Sequence, residues 1–483
     1  MSLLICALVP VILGGALPFL RIRNRNARMA YTLAATCVTS VLAGMILFGG
    51  AVERYKLFRL SEAFVCAFRL DGAGKTYLGV AAALWPLSVL YAVEYMRHEK
   101  REGNFFAWYT VTYGAAILLA AAENLFTLYI AYEFLTLCTV PLVWHGRDEE
   151  SSRAALKYML YLIGGAALGF VALTGLSAFG LGGFRNAVPA KGMDGGWFRV
   201  LCLLGFLGFG VKAAVLPLCR WLPTASVAPT PVTALLHAVA VVNAGVFAVL
   251  RLLYYVLPAG ILQDTWVQTA MISLSAATVL YGAVMAVREQ HVKRRLAWST
   301  VSNLSYMLLG LSLLTEQGMA AGLSHMVFHS LMKIILFFCA GAVTAQTGRT
   351  QVRQMHGLGR KMPFVFLCFT LAGTSLLGVP PLPGFVSKYA LVTAAFDQGG
   401  ALAMAGAVAL LLAAVLTAIY VFTVVYPAFF MQYHPAPGEE PPRDPGSCMK
   451  LSLGLLCALL VLAGIFAGRI MAYLTGLAGG VFG

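Results

Sequence analysis

Apolar runs separated by short polar loops recur along all 483 residues. Runs of about 20 residues match the hydrocarbon thickness of a bilayer, and fourteen are predicted to be membrane-spanning helices. They begin near residues 3, 30, 73, 105, 124, 155, 198, 231, 266, 294, 319, 363, 400 and 449. Two of them cannot be continuous. After the seventh run come Pro217, Pro223, Pro229 and Pro231, and proline lacks a backbone donor and clashes with the preceding helical turn. The twelfth contains Gly378, Pro380, Pro381, Pro383 and Gly384. The expected fold class is an all-α polytopic membrane protein of about 14 transmembrane helices, with helices 7 and 12 discontinuous.

Five spans separate the two breaks. Five is odd, so spans four to eight and nine to thirteen read as two five-helix repeats, inverted relative to each other across the membrane. The chain then divides into residues 1–104 (spans one to three), 105–258 (first repeat), 259–433 (second repeat) and 434–483. The last part holds the linker Pro435 to Pro445 and the C-terminal span.

Composition supports this division. Hydrophobic residues make up 60%, charged residues 11%, and the mean hydropathy is +0.82, which excludes soluble globular and disordered classes. The net charge of +15 lies in short loops, a topology signal rather than a nucleic-acid surface. Arg21, Arg23, Arg25 and Arg28 follow the first apolar run, the order of a retained span and not of a cleaved signal peptide. Most of the 34 basic residues lie after odd-numbered spans, which predicts both termini on the non-cytoplasmic side of a cell membrane. The ten cysteines lack CxxC pairs and metal-ligand spacing and read as core thiols. No cofactor is expected in this chain: it has neither clustered cysteines for iron and sulfur nor a dinucleotide fingerprint.

Charges inside the spans point to a function. Lys212, Lys333, Lys388 and Glu133 interrupt otherwise apolar runs, and an unpaired charge at the bilayer centre costs about 2.5 to 3.5 kcal/mol on insertion scales. His325, His329 and Lys333 recur every fourth residue, which places them on one helical face. Histidine passes protons near neutral pH. Zinc binding by His325 and His329 lacks a third ligand, and no metal site is assigned. His237 follows the first break. Ser299, Thr300, Ser302, Asn303 and Ser305 in the tenth span either hold water between titratable groups or bond neighbouring helices. Two motifs are set aside. Asp71 to Thr76, DGAGKT, lacks the first glycine of a phosphate loop, and Gly165 with Gly169 reads as close helix packing.

From about Asp71 to Phe430 the chain resembles the antiporter-like membrane subunits shared by respiratory complex I, Mrp-type cation/proton antiporters and energy-converting hydrogenases. The resemblance rests on Asn124 to Leu137 around Glu133, Gly210 to His237 around Lys212, KRRLAWSTVS from Lys293, HMVFHSLMKIILFFCAG from His325, and Gly378 to Lys388. It implies a fourteen-helix proton-translocating subunit in which Glu133 pairs with Lys212 and senses a neighbouring subunit. It further implies that His237, His325, His329 and Lys333 continue a hydrated axis and that Lys388 belongs to the exchange path on one side. Pro217, Pro223, Pro380, Pro381 and Gly384 mark the helix breaks. Cys219, His291 and Asn303 depart from the family pattern.

The implied partners are sibling antiporter-like subunits, redox subunits carrying iron–sulfur or other cofactors on the cytoplasmic side, and lipids, in a bacterial or archaeal cytoplasmic membrane. The chain is expected to transport protons without catalytic chemistry of its own. The rival readings are an Mrp-type sodium/proton antiporter subunit without redox coupling, and a membrane scaffold whose buried charges only specify packing.

Overall fold

Inside hydrocarbon, backbone groups have no water to bond, so apolar runs close their hydrogen bonds within helices. The computed structural model describes residues 2–49, 54–184, 193, 195–258, 260–435 and 442–482, and they are helical almost throughout. The first helices are α1 (Ser2–Ala16), α2 (Arg25–Phe48), α3 (Gly72–Tyr95), α4 (Glu102–Ala120), α5 (Leu125–Val143) and α6 (Glu149–Ala178). Next come α7 (Gly196–Gly210), α8 (Trp221–Ala225), α9 (Thr230–Ala238), α10 (Val241–Arg251), α11 (Trp266–Arg288), α12 (Val292–Ser312) and α13 (Glu316–Thr347). The chain continues with α14 (Leu358–Lys361), α15 (Pro363–Leu377), α16 (Pro383–Gln398), α17 (Ala401–Phe430), α18 (Ser447–Ile465) and α19 (Ala467–Phe482). Among the described residues nine helical stretches are long and apolar enough to cross a membrane, and α1, α7 and α15 are shorter apolar helices. The protein is a helical multi-pass membrane protein.

The centre is formed by α9–α10 and α13, whose most apolar windows are 100% and 89% buried. The outer helices turn apolar side chains outward, as lipid requires: Val38, Met45, Leu160, Leu411 and Val415 are exposed. Gly165 and Gly208 let α6 and α7 touch backbone to backbone, since a Cβ at Gly165 would meet the Val211 side chain at 2.5 Å and the Gly208 carbonyl at 3.0 Å. That is the packing role read from the GxxxG spacing.

Both expected breaks are present. Past Gly210 the chain unwinds through Ala214, whose φ is +54°, and a cis Leu216–Pro217 bond before α8. The second break follows Gly378, with φ of +99°, and holds a cis Pro380–Pro381 bond. Two of the named breakers act otherwise. Pro223 lies within the short helix α8. Gly384 lies in the first turn of α16, where a Cβ would overlap the Ser375 carbonyl, so it permits close packing instead of ending a helix.

Three features differ from the sequence reading. The basic stretch after α2 forms an antiparallel hairpin of β1 (Arg54–Arg59) and β2 (Val65–Arg69), with Cys66, Ala67 and Phe68 buried, so the class is helical with one hairpin. The apolar stretch expected as span eight is interrupted at Val239 and Ala240, between α9 and α10. The C-terminal apolar tract turns at Phe466 into a separate helix, α19, whose 16 residues fall short of the roughly 20 needed to cross a bilayer. The Pro435–Pro445 linker lies largely outside the described residues.

Candidate functional site

The breaks position the lysines. Unwinding past α7 brings Lys212 against α5, where its ammonium donates to the Tyr132 carbonyl and lies 3.3 Å from the centroid of the Tyr132 ring. Gly245 on α10 permits the approach from the other side, since a Cβ there would lie 2.9 Å from Lys212 Cβ. The Tyr132 hydroxyl is anchored on the Phe209 carbonyl at 2.9 Å. Glu133 shares electrostatic contact with Lys212 but makes no ion pair among the described residues, and its Oε1 has no hydrogen-bond partner. Ile130 and Leu137, one turn to either side of Glu133, are 38% and 62% exposed, so Glu133 stands at the edge of the outward face of α5, half-buried and with its Oε1 shielded.

His237 ends α9 fully buried, with Nε2 3.4 Å from Ser226 Oγ and its ring 4.7 Å from that of Phe337. Side chains bond two carbonyls at the α9–α10 interruption, where irregular backbone at membrane depth needs partners. Asn243 Nδ2 donates to Ala238 O at 2.9 Å, and the Tyr77 hydroxyl donates to Ala240 O at 2.9 Å. Asn243 also bonds Ser330 Oγ at 2.8 Å, tying the kink to α13.

The face read from the sequence is real on α13. Lys333 donates to Leu296 O at 3.1 Å and to Ser299 Oγ. His325 bridges Ser387 Oγ at 2.9 Å and Asn303 Oδ1 at 3.2 Å. The two histidine rings lie 6.0 Å apart, and neither nitrogen of His329 has a hydrogen-bond partner among the described residues. At the second break Lys388 donates to the Leu377 carbonyl at 3.3 Å, at the negative C-terminal end of α15, and lies 5.1 Å from the Tyr306 ring centroid. Electrostatic contact joins His329 to Lys333, His325, His237 and Lys388. The five residues thus form one buried group, with Glu133 and Lys212 a second across the α9–α10 kink.

A surface cavity of about 800 Å³ reaches Ser226, the partner of His237, and is lined also by Glu149, Glu150, His291, Lys293 and Arg294. Burial first, then the neighbouring Lys293 and Arg294, push the His291 imidazole below its ordinary range.

Sequence reasoning missed Tyr132, Asn243, Ser387 and Arg251. Arg251 is fully buried, held bidentately by Asp71 and enclosed by the rings of Phe184, Phe247 and Tyr255 at 4.4 to 4.7 Å. Asp71 also caps α3 through Gly74 N at 2.9 Å, which gives the DGAGKT stretch its structural role.

Residues 122–431 match the family model described as NADH:quinone oxidoreductase/Mrp antiporter, TM. The chain belongs to this family. It is 30% identical over 412 residues to NADH-quinone oxidoreductase subunit L of Mycobacterium tuberculosis, covering 84% of this chain and 63% of that one. To NADH-quinone oxidoreductase subunit N of Desulforudis audaxviator it is 32% identical over 452 residues, covering 91% and 88%. This member of the family thus spans less than two thirds of the subunit L relative's length. Its fold is similar to a chain in the structure of the membrane-bound sulfane sulfur reductase, an archaeal respiratory membrane complex. The TM-score is 0.87 at 23% identity, covering 100% of this chain and 98% of that one.

Proposed function

We propose that this chain is the proton-translocating, antiporter-like subunit of a redox-driven membrane complex. The observation that carries the reading is the buried row itself. His237, Lys333, His329, His325 and Lys388 share one electrostatic neighbourhood, and Glu133 with Lys212 stands at the other side of the kink. Packing alone gives no return for so many ionisable groups in hydrocarbon.

In the proposed mechanism a redox event in partner subunits shifts Glu133, which stands at the edge of the outward face of α5, where a neighbouring membrane subunit reaches it. A carboxylate and an ammonium 4 Å apart interact by about 4 kcal/mol at an effective dielectric of about 20. Movement of Glu133 toward Lys212 therefore loads a proton on the lysine, and withdrawal releases it. The proton passes Asn243 and His237 to Lys333 and His329, then His325 and Lys388. The orphan atoms Glu133 Oε1, His237 Nδ1 and both nitrogens of His329 are the stations that an exchanging proton would use, and Asn243 Oδ1 would accept a hydrogen bond between them. The cavity ending at Ser226 supports a surface connection to His237.

The same reading takes the helices as fourteen spans, ten of them in two inverted five-helix repeats, helices 7 and 12 being discontinuous, with both termini on the non-cytoplasmic side and redox subunits on the other. Relatives named as quinone oxidoreductase subunits favour redox coupling over ion-gradient antiport. Proton pumping measured in membrane vesicles tests the proposal. Lys212→Ala and Glu133→Gln should each abolish pumping while the complex still assembles, and normal pumping in both refutes it.

A further inference from the structure

Away from the polar row, an apolar groove of about 650 Å³ opens between α2, α3, α13, α18 and α19. Lys75, Phe48 and Tyr473 line it beside the first turn of α3, and Leu84, Val327 and Leu331 line it further along α3 and α13. Phe48 and Tyr473 are 94% and 53% exposed. Lys75 lies in the first turn of α3, just past the β1–β2 hairpin, and its ammonium has no hydrogen-bond or ion-pair partner among the described residues.

The dimensions identify an occupant. Leu84 lies nine residues beyond Lys75, about 13 Å along a helix at 1.5 Å per residue, and one leaflet of a hydrocarbon core about 30 Å thick is about 15 Å deep. The groove is therefore one leaflet deep, with an unpaired cation at headgroup level, a tyrosine beside it as interfacial anchors are placed, and apolar walls below. A neighbouring subunit's helix would close its own backbone hydrogen bonds and lie along such walls, but it would leave the Lys75 ammonium uncompensated. A lipid phosphate supplies that charge, and its acyl chain matches the apolar lining below.

We propose that the groove binds one anionic phospholipid from the leaflet on the hairpin side, its phosphate on Lys75 and an acyl chain against α13. Val327 and Leu331 each lie two positions from a histidine of the row, on the reverse face of that helix. The lipid thus braces the helix that carries His325, His329 and Lys333, an assignment independent of what those residues transport.

The test is native mass spectrometry of the detergent-purified full-length chain titrated with phosphatidylglycerol or phosphatidylcholine. The wild type should retain phosphatidylglycerol in preference. Lys75→Glu should weaken phosphatidylglycerol binding at least about fivefold, since one basic residue near an anionic surface is worth about 1 kcal/mol, and should weaken phosphatidylcholine, whose phosphate is offset by its own choline, by less. Gly79→Leu should weaken both lipids: a Cβ at Gly79 meets only Leu47, at 3.9 Å, so the new side chain fills the groove without displacing a helix. Wild-type phosphatidylglycerol binding in both variants overturns the proposal, as does a structure of the assembled complex with another subunit's residues in the groove. Unchanged melting temperatures in the two variants show that any lost binding reflects the groove and not unfolding.

Discussion

Lys212 rests on Tyr132, not on Glu133. The ammonium sits 3.3 Å from the centre of the Tyr132 ring and donates to the same residue's carbonyl, while the carboxylate one position further on leaves an oxygen unpartnered. The resemblance implies a Glu133–Lys212 pair, and the geometry holds the lysine on a neutral partner with the acid near enough to compete. Cation–π attraction at a desolvated site is worth about 2 kcal/mol. Tyr132→Leu should therefore slow coupled proton uptake by vesicles at least about tenfold, whereas Tyr132→Phe, which keeps the ring, should stay within about twofold of wild type. Equal rates for Leu and Phe would remove the ring from the mechanism.

His329 separates transport from packing. Both ring nitrogens are buried without a partner among the described residues, and each such group costs about 1 to 3 kcal/mol. A residue kept for stability would not be left so. His329→Leu should hold or raise the melting temperature of the purified chain while abolishing pumping. A lower melting temperature with pumping retained would make His329 a packing residue.

What could be read in advance depended on sequence distance. The spacing of His325, His329 and Lys333 put them on one face because helical periodicity is local, and the proline clusters located both breaks for the same reason. The interruption at Val239 and Ala240 carries no proline or glycine. It is held by Asn243 from within and by Tyr77 from 163 residues away, and no local pattern encodes that. Tyr132 reaches Lys212 across 80 residues and would pass for a core aromatic. Arg251 carries no local signal, because its partner, Asp71, lies 180 residues earlier. Gly384 sits beside three prolines and reads as part of the break, while its use, contact with the Ser375 backbone, appears only when α15 and α16 are side by side.

Gly245 tests whether the position of Lys212 matters apart from its charge. A Cβ there would press on Lys212 Cβ and on its carbonyl carbon, the latter at 2.7 Å, and overpacking of this kind costs about 1 to 3 kcal/mol. Gly245→Ala should push α10 off the unwound segment and cut pumping about tenfold or more with every titratable group intact. Gly164→Ala, on an open face of α6 with nothing within 4 Å, is the control and should leave pumping and stability at or above wild type. A normal rate in Gly245→Ala would mean that the unwound segment tolerates displacement.

The Asp71–Arg251 pair should govern stability and its pH dependence rather than transport. Burial pushes the Asp71 carboxyl up, and the Arg251 guanidinium outweighs this through its charge and hydrogen bonds, leaving the group below its ordinary value of 3.8. A carboxyl lowered on folding adds stability above its unfolded value, near pH 4, and that stability is lost as the pH falls through the folded value. Removing one partner strands the other, at a cost of about 3 to 5 kcal/mol for a buried pair. Asp71 is the more exposed partner, with 31% of its side chain accessible against none for Arg251. Stranding the arginine therefore costs more than stranding the aspartate. Asp71→Asn should lower the melting temperature more than Arg251→Met, and the double variant should recover part of the loss. The melting temperature of Asp71→Asn should also change less between pH 5 and pH 3 than that of the wild type. Equal acid sensitivity in the two proteins would show that the Asp71 carboxyl is not lowered on folding, and the ranking of the single variants would then have to come from packing alone.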